Sequence, residues 1–474
     1  MKTGYIDFGD PMILPSIKRW SQPYGYAEAL RIGLPLVISM ASTTLMIFTD
    51  RIFLGRYSVD TLAASFPASI MYFLFYSFFL GTLEYVSVFV AQYVGAERSE
   101  RVGAAVWQGM YFVIPASLVM SLIGVFCDHI FALAGHAPTV RALETAYFET
   151  VAHGSIFGFA SIALSCFFSG RGITRPVMVV NMLSAAVNIP LNYALINGYF
   201  GFPELGIRGA ALATVAAYFV NFAAMALLVF RSRYEERFQI FSQWRFKPRL
   251  FRRFMKYGLP GGAQFFLDML AVSYFGIVVG WFDKAELAAS NIAIGIDTLA
   301  FLPAIGMSIA ASVMTGQAMG AGKPEKAAYG MHSVLHLTLA YMSFMGLLFV
   351  VFPGFFVDMF RSGDLSAQEW ASVRESGVVL MRWVAAYTVL DAVVMTIVGL
   401  LKGAGDTRFI MKVMGTASIF GMILPLTVLV KGFGFGVQTA WACLLLYVVV
   451  LTVVYTARYR FGSWRDIRIV DDDS

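Results

Sequence analysis

Several acidic residues lie in stretches of this chain that are otherwise apolar: Asp50, Glu84, Asp268, Asp391 and, at an expected helix end, Asp297. A charge held in lipid costs a few kcal/mol or more, so an acid there commonly marks the path of an ion or a substrate. Depth follows from the helical rise, counted from the nearest basic residue that marks the cytoplasmic face. Measured from Lys256 and Lys402, Asp268 and Asp391 both fall roughly 16–18 Å in, near a membrane midplane. Measured from Arg31, Arg175 and Arg231, Asp50, Asn192 and Thr214 share a deeper level, at about 25–28 Å. Asn188 is one turn from Asn192 on the same helix face. A carboxylate, two amides and a hydroxyl at one level form an oxygen-rich cluster suited to a proton or a small cation. The same residues also fit unrelated polar groups bonded inside a packed helical unit. Glu84 is either an ion-pathway carboxylate or the partner of a nearby helix. Asp60 and Asp297 read as interfacial.

The surrounding elements must be membrane helices. The chain is 58% hydrophobic and 14% charged, with mean hydropathy +0.71, where soluble domains carry about 25% charged residues. Apolar runs of about 20 residues cross a bilayer as helices, because lipid offers the backbone no hydrogen-bond partner. Twelve spans are expected, at 30–53, 66–94, 103–127, 150–170, 177–200, 208–230, 256–281, 287–318, 327–354, 377–401, 409–431 and 435–457. The segment Met1 to Pro23 is polar and mixed and does not read as a cleavable signal peptide. Cys127, Cys166 and Cys443 are scattered in apolar segments and form neither a disulfide framework nor a metal site.

The chain repeats itself. Gly33-Leu34-Pro35 recurs as Gly258-Leu259-Pro260, Leu62 to Ser65 as Leu287 to Ser290, Gly81 as Gly306, and Gln92 as Gln317, all at one fixed offset. Gly170 to Arg175 answers Gly403 to Arg408 at a slightly larger offset, so a short insertion lies between. A duplicated apolar half is the mark of a secondary transporter, and six helices per half make the repeats parallel. The expected organisation is an amino-terminal lobe at 1–230, a linker at 231–255 and a carboxy-terminal lobe at 256–474. Basic residues gather on one side: Lys2, Lys18, Arg19 and Arg31, then Arg98 and Arg101, Arg171 and Arg175, the stretch from Arg231 to Lys256, Lys323 and Lys326, Lys402, Arg408 and Lys412, and the tail from Arg458 to Arg468. The positive-inside rule then makes both termini and the linker cytoplasmic. The linker mixes Arg and Lys with Phe and Trp, which in a membrane protein means headgroup contact rather than nucleic acid. The acids do not repeat: Asp50 maps onto Phe275, Asp268 onto Thr43, Asp391 onto Gly158, and Glu84 onto Ile309.

Other chemistry is thin. Gly320 to Lys323 fails the phosphate-loop pattern, with Gln317 and Pro324 at the deciding positions, so no ATP site is expected. His332 and His336 have i, i+4 spacing but no Glu beside His332, and read as structural.

These residues resemble the multidrug and toxic compound extrusion (MATE) family of the multidrug/oligosaccharidyl-lipid/polysaccharide flippase superfamily, over essentially the whole chain. The resemblance is carried by Pro35 with Thr49 to Gly55, Leu62-Ala63-Ala64, Gln92 to Ala96, Gly170 to Pro176, Gly206 to Ala211, Pro260 with Asp268, and Asp391 upstream of Lys402 to Asp406. It implies an all-α protein of two six-helix lobes forming a V. It also implies antiport of cationic or amphipathic compounds against H+ or Na+, with no further cofactor and no enzymatic activity. By resemblance, Asp50 is the coupling carboxylate of the first lobe, with Asn188, Asn192 and Thr214 beside it. Asp268 and Asp391 resemble the second-lobe acids of NorM-type members. Asn192 stands where several members have Asp, which weakens a Na+ site because hard cations favour carboxylate oxygens. Glu84 is no feature of the family, and is placed with the first-lobe coupling residues as a carboxylate that compensates. The reading is an integral inner-membrane protein acting as a monomer. An alternative is a flippase for lipid-linked oligosaccharides, but its cavity needs several Arg or Lys for pyrophosphate, and Arg382 is the chief cation away from the loops. A membrane enzyme or scaffold lacks any nucleophile–base pair, and a scaffold has no need of midplane acids.

Overall fold

The computed structural model describes residues 15–133, 135, 137–361 and 366–470. Lys2, counted above among the basic residues, lies outside them. The described residues form twelve long helices: α1 Tyr26–Tyr57, α2 Val59–Gly95, α3 Val102–Leu133, α4 Pro138–Ser169, α5 Arg175–Asn197, α6 Ile207–Val229, α7 Pro248–Val279, α8 Lys284–Gly320, α9 Pro324–Val351, α10 Ala367–Ala404, α11 Thr407–Gly432 and α12 Val437–Phe461. All twelve are long and apolar enough to cross a membrane, as expected. Bulky apolar side chains point outward on them, with Leu118, Leu122 and Leu227 58–74% exposed. Such a surface requires lipid rather than water.

The helices outlast the apolar runs. The expected span 150–170 starts well inside α4, which opens at Pro138, and 377–401 sits inside α10, which opens at Ala367. Local signals explain the extra turns. Pro138 and Pro324 open α4 and α9, where a missing N–H costs nothing. Ser366 and Glu369 close a reciprocal capping box at α10. Gly405, at φ +101°, ends α10 in the left-handed region that glycine tolerates. Helix α11 is irregular: wide i→i+5 turns cover Ala417–Ile423 and Thr427–Gly432, on either side of Pro425. Proline removes a backbone donor, and the neighbouring carbonyls find later partners.

The duplication is visible in contacts. At Gly170, where α4 ends, a β-carbon would lie 2.4 Å from the Ser87 carbonyl oxygen of α2, and at Gly403 of α10 one would lie 2.3 Å from that of Ser312 in α8. Gly403 is the repeat counterpart of Gly170, and Ser312 that of Ser87, so one backbone contact is built twice. Small residues at these crossings let helix backbones approach closely.

Two compact units result. One joins the residues up to Leu34 to Leu267–Arg468, and the other contains Pro35–Phe266. The division thus falls inside α1 and α7. The start of α1 packs in the first unit through Gly33, whose β-carbon position is 2.6 Å from the Met307 sulfur. The start of α7 packs in the second through Gly258, 3.2 Å from the Thr82 carbonyl. In the first unit the core runs along α8, α10 and α12 and includes Trp441, fully buried, edge-on to Phe275 at 5.4 Å.

Candidate functional site

Asp50 sits on α1 in the unit holding Pro35–Phe266, and is only 8% exposed. The Asn192 side-chain amide, from α5, donates to Asp50 Oδ1. Arg51, next along α1, adds a positive charge within electrostatic reach, while its guanidinium stacks 4.8 Å from the Phe66 ring centroid. Helix periodicity places Asn188 one turn from Asn192, and both are fully buried. Neither polar atom of the Asn188 amide has a hydrogen-bond partner, and Asn192 Oδ1 has none either. Thr214, on α6, donates its hydroxyl to the Ala210 carbonyl at 3.1 Å. Its oxygen lies against the Tyr147 hydroxyl of α4, as does that of Ser69. Tyr147 and Tyr218 both feel the Asp50 charge.

Buried polar atoms are nearly always paired. Asn188 and Asn192 nonetheless carry unsatisfied amide atoms, and the Asn192 amide is the one that holds the Asp50 carboxylate.

Sequence reasoning missed the tyrosines. Tyr76 stacks on Tyr72 at 5.3 Å and on Tyr218 at 6.4 Å, and the Tyr72 hydroxyl, without an ideal partner, faces that of Tyr218. Gly158 makes room for them: a β-carbon there would lie 2.9 Å from the Tyr76 hydroxyl. It also missed a second polar chain in this unit, in which Asn181 donates to Ser39, Asn221 to Asn181 and Ser161 to Asn221. Asn and Ser inside apolar runs were the available signal.

Glu84 stands apart from this group. It lies toward the Gly95 end of α2, while Asp50 lies toward the Tyr57 end of α1, and the short turn at Ser58 joins the opposite ends of these two helices. The helical rise then puts the two acids about 25 Å apart in level. Neighbours of Glu84 include Tyr76, across two turns of α2, and Cys166 on α4, whose thiol lies 3.5 Å from the Leu83 carbonyl.

In the other unit, three carboxylates converge. Asp391 on α10 is within electrostatic reach of Asp268 on α7 and of Asp297 on α8. All three are half-buried. Tyr387, one turn before Asp391, donates its hydroxyl to Asp297. Asp297 is therefore not interfacial: it lies well inside α8, past its start at Lys284, and turns toward α10. The Tyr447 hydroxyl of α12 reaches Asp268 Oδ1 at 3.4 Å and the Met414 sulfur at 2.9 Å. Ser418, in the first wide turn of α11, is buried beside Tyr447. Irregular turns of this kind gather at functional sites. Lys402 supplies a cationic neighbour to Asp268 that the loop-bound distribution of Lys and Arg did not anticipate. Among the described residues no group of three or more His, Cys, Asp or Glu has the arrangement of a metal site. His332 and His336 instead bond to Tyr459 at 2.8 Å and Tyr26 at 2.9 Å.

Twelve helices in two sequence repeats, with carboxylates enclosed among the helices of each, have the build of an integral membrane transporter. Comparison with known proteins places it. The MatE family model matches residues 35–194 and again 262–427, once in each repeat, and the chain belongs to that family. It is 29% identical, over 96% of each chain, to the "Probable multidrug resistance protein NorM" of Brucella suis. It is 27% identical, over 84% of its own length and 82% of the other, to the "Multidrug resistance protein PmpM" of Pseudomonas aeruginosa. Its fold matches the outward-facing structure of a multidrug resistance MATE family transporter of the MOP superfamily, with a TM-score of 0.82 at 18% identity, over 96% and 99% of the chains. The eukaryotic MATE transporter AtDTX14 gives a TM-score of 0.80 at 18% identity, over 93% and 96%.

Proposed function

We propose that the protein is an antiporter that exports organic cations and other amphipathic compounds by alternating access, driven by inward movement of H+ or Na+ through the Asp50 site. The observation that carries this is the buried carboxylate with an amide donor from Asn192 and orphan amide atoms beside it. The relatives' multidrug resistance supports the substrate class, and the family supports the cycle.

The donor set favours the proton. Ionised Asp50 accepts from Asn192. Protonated Asp50 becomes a donor, and the orphan oxygen of Asn188 or Asn192 is ready to accept. Hard cations take about six oxygens and prefer carboxylates, whereas here one carboxylate stands among amides, and Asn192 offers it nitrogen. The change at Asp50 alters the packing of α1, where Pro35 already removes one backbone bond, and so biases two states of the transporter. Asp268 and Asp391, joined by Asp297, supply negative charge for a cationic substrate. The lobes 1–230 and 256–474 are taken as the moving bodies, with 231–255 and both termini cytoplasmic. Basic loops support that orientation.

The test is ethidium efflux from liposomes containing the purified protein, with proton and sodium gradients imposed separately. Proton-driven efflux that disappears in Asp50→Asn is the expected result. Efflux that ignores both gradients rejects the proposal, and efflux driven only by sodium rejects the choice of ion.

A further inference from the structure

Arg171 lies in the turn between α4 and α5, enclosed by aromatic rings. Its guanidinium carbon is 4.2 Å from the Phe238 ring centroid, 4.5 Å from Phe167, 5.1 Å from Tyr234 and 6.0 Å from Phe168. Tyr234 and Phe238 belong to the segment between α6 and α7, so this cage straps that segment to α4. Inside it the Arg171 Nη1 is buried and has no hydrogen-bond partner. The Tyr234 hydroxyl beside it already accepts from Arg233 Nη2 at 2.8 Å. Burial pushes the Arg171 pKa below its usual value; the charge and hydroxyl of Tyr234 oppose this, and the like charges of Arg237 and Arg233 add to it. Two further guanidinium groups thus lie within electrostatic reach of Arg171.

The local acid does not complete it. Glu235 accepts from the Phe241 and Ser242 backbone N–H groups at 2.6 and 3.1 Å, and from the Ser242 hydroxyl. Those bonds close the hairpin of the segment, with the Ser242 hydroxyl as the main cause of a lowered Glu235 pKa. Among the described residues, none of the three arginines forms an ion pair with a carboxylate.

The same segment presents aromatic side chains outward. Phe241, Trp244 and Phe246 are 46–56% exposed. Their backbone is fixed against α3, where Trp107 Nε1 donates to the Ile240 carbonyl at 2.7 Å and the Tyr111 hydroxyl to that of Trp244 at 2.5 Å. Exposed Trp and Phe on a rigid strap at helix ends belong at the headgroup level, where anionic lipids attract Arg and Lys.

We infer that Arg171, Arg233 and Arg237 form a binding site for the phosphate of an anionic lipid headgroup. Phosphate oxygens accept the guanidinium donors in a charge-assisted, bidentate manner. The aromatic cage holds Arg171 in place before the lipid arrives, and the bound headgroup then fastens the segment that joins the two repeats.

The experiment uses the full-length protein in a mild detergent and native mass spectrometry to count bound short-chain phosphatidylglycerol, phosphatidylcholine and inorganic phosphate. Phosphatidylglycerol should bind saturably, and Arg171→Gln should weaken it about tenfold, the loss of one hydrogen bond to a charged group. Because that change also opens the aromatic cage, Arg233→Gln with Arg237→Gln is the second variant. It leaves Arg171 stacked and should weaken binding by a similar factor, while the thermal midpoint without lipid stays near that of the parent. Equal affinity in parent and variants overturns the inference, as does phosphatidylcholine binding as tightly as phosphatidylglycerol. Inorganic phosphate displacing the lipid at equal concentration makes the site one for a free anion and overturns the lipid assignment.

Discussion

In the proposed cycle a single proton turns Asp50 from a hydrogen-bond acceptor into a donor. Asp50→Asn keeps the shape and removes the titration. We expect that variant to insert and fold, with its thermal midpoint within a few degrees of the parent, and to lose ethidium efflux; normal efflux in liposomes would refute the role. Asn188 yields a sharper contrast. An unsatisfied buried amide costs about 1–3 kcal/mol. Asn188→Leu, not far from it in size, should therefore raise the thermal midpoint while impairing gradient-driven efflux. A midpoint that falls together with activity would make Asn188 a packing residue. In the other unit, Asp268→Asn and Asp391→Asn should weaken binding of a cationic ligand far more than that of a neutral ligand of similar size. Equal losses for the two ligands would exclude direct charge recognition.

At the scale of elements, the glycines at helix crossings set how closely helices pack. A β-carbon at Gly403 would press on the Ser312 carbonyl oxygen and one at Gly170 on that of Ser87. Backbone cannot swing aside as a side chain can, and overpacking typically costs about 1–3 kcal/mol. Gly403→Ala and Gly170→Ala should both lower the thermal midpoint. Gly432→Ala, where a β-carbon meets nothing within 4 Å, is the control and should leave it nearly unchanged. The existence of each helix was legible in the sequence, because apolar length acts locally. The extra turns of α4 and α10 were not. Those turns extend beyond the apolar run, so hydropathy is silent on them, and caps such as Ser366 with Glu369 decide where they begin.

For the whole molecule, the distribution of Lys and Arg is the basis for the expected orientation, and it can be tested because the three native cysteines are buried. Ser463→Cys, in the exposed tail, should react with a membrane-impermeant maleimide only when the cytoplasmic face is open. Ala137→Cys, between α3 and α4, should react from outside. Labelling of both from the same face would break the alternation of twelve spans, and a reversed pattern would invert the topology. The division into compact units inside α1 and α7 is a property that no composition shift announces. Gly33 and Gly258 look like ordinary helix glycines in the sequence, and only their neighbours, Met307 and Thr82, show which unit each helix start joins.

The sequence by itself determined the membrane class, the number of spans, the duplication and the family, because each follows from apolar length or from motifs at a fixed offset. It also put Asp50 and Asn192 at one level, since depth along a helix is a one-dimensional quantity. Tertiary structure alone decided which groups meet. Rotation about a helix axis is not encoded in depth: Asp297 turned out to face Tyr387 and Asp391 instead of an interface, Tyr147 and Tyr218 came within reach of Asp50, and Glu84 lay at another level beside Cys166. The orphan amide of Asn188 is likewise a fact of three dimensions, because a missing partner appears only when every neighbour is in place.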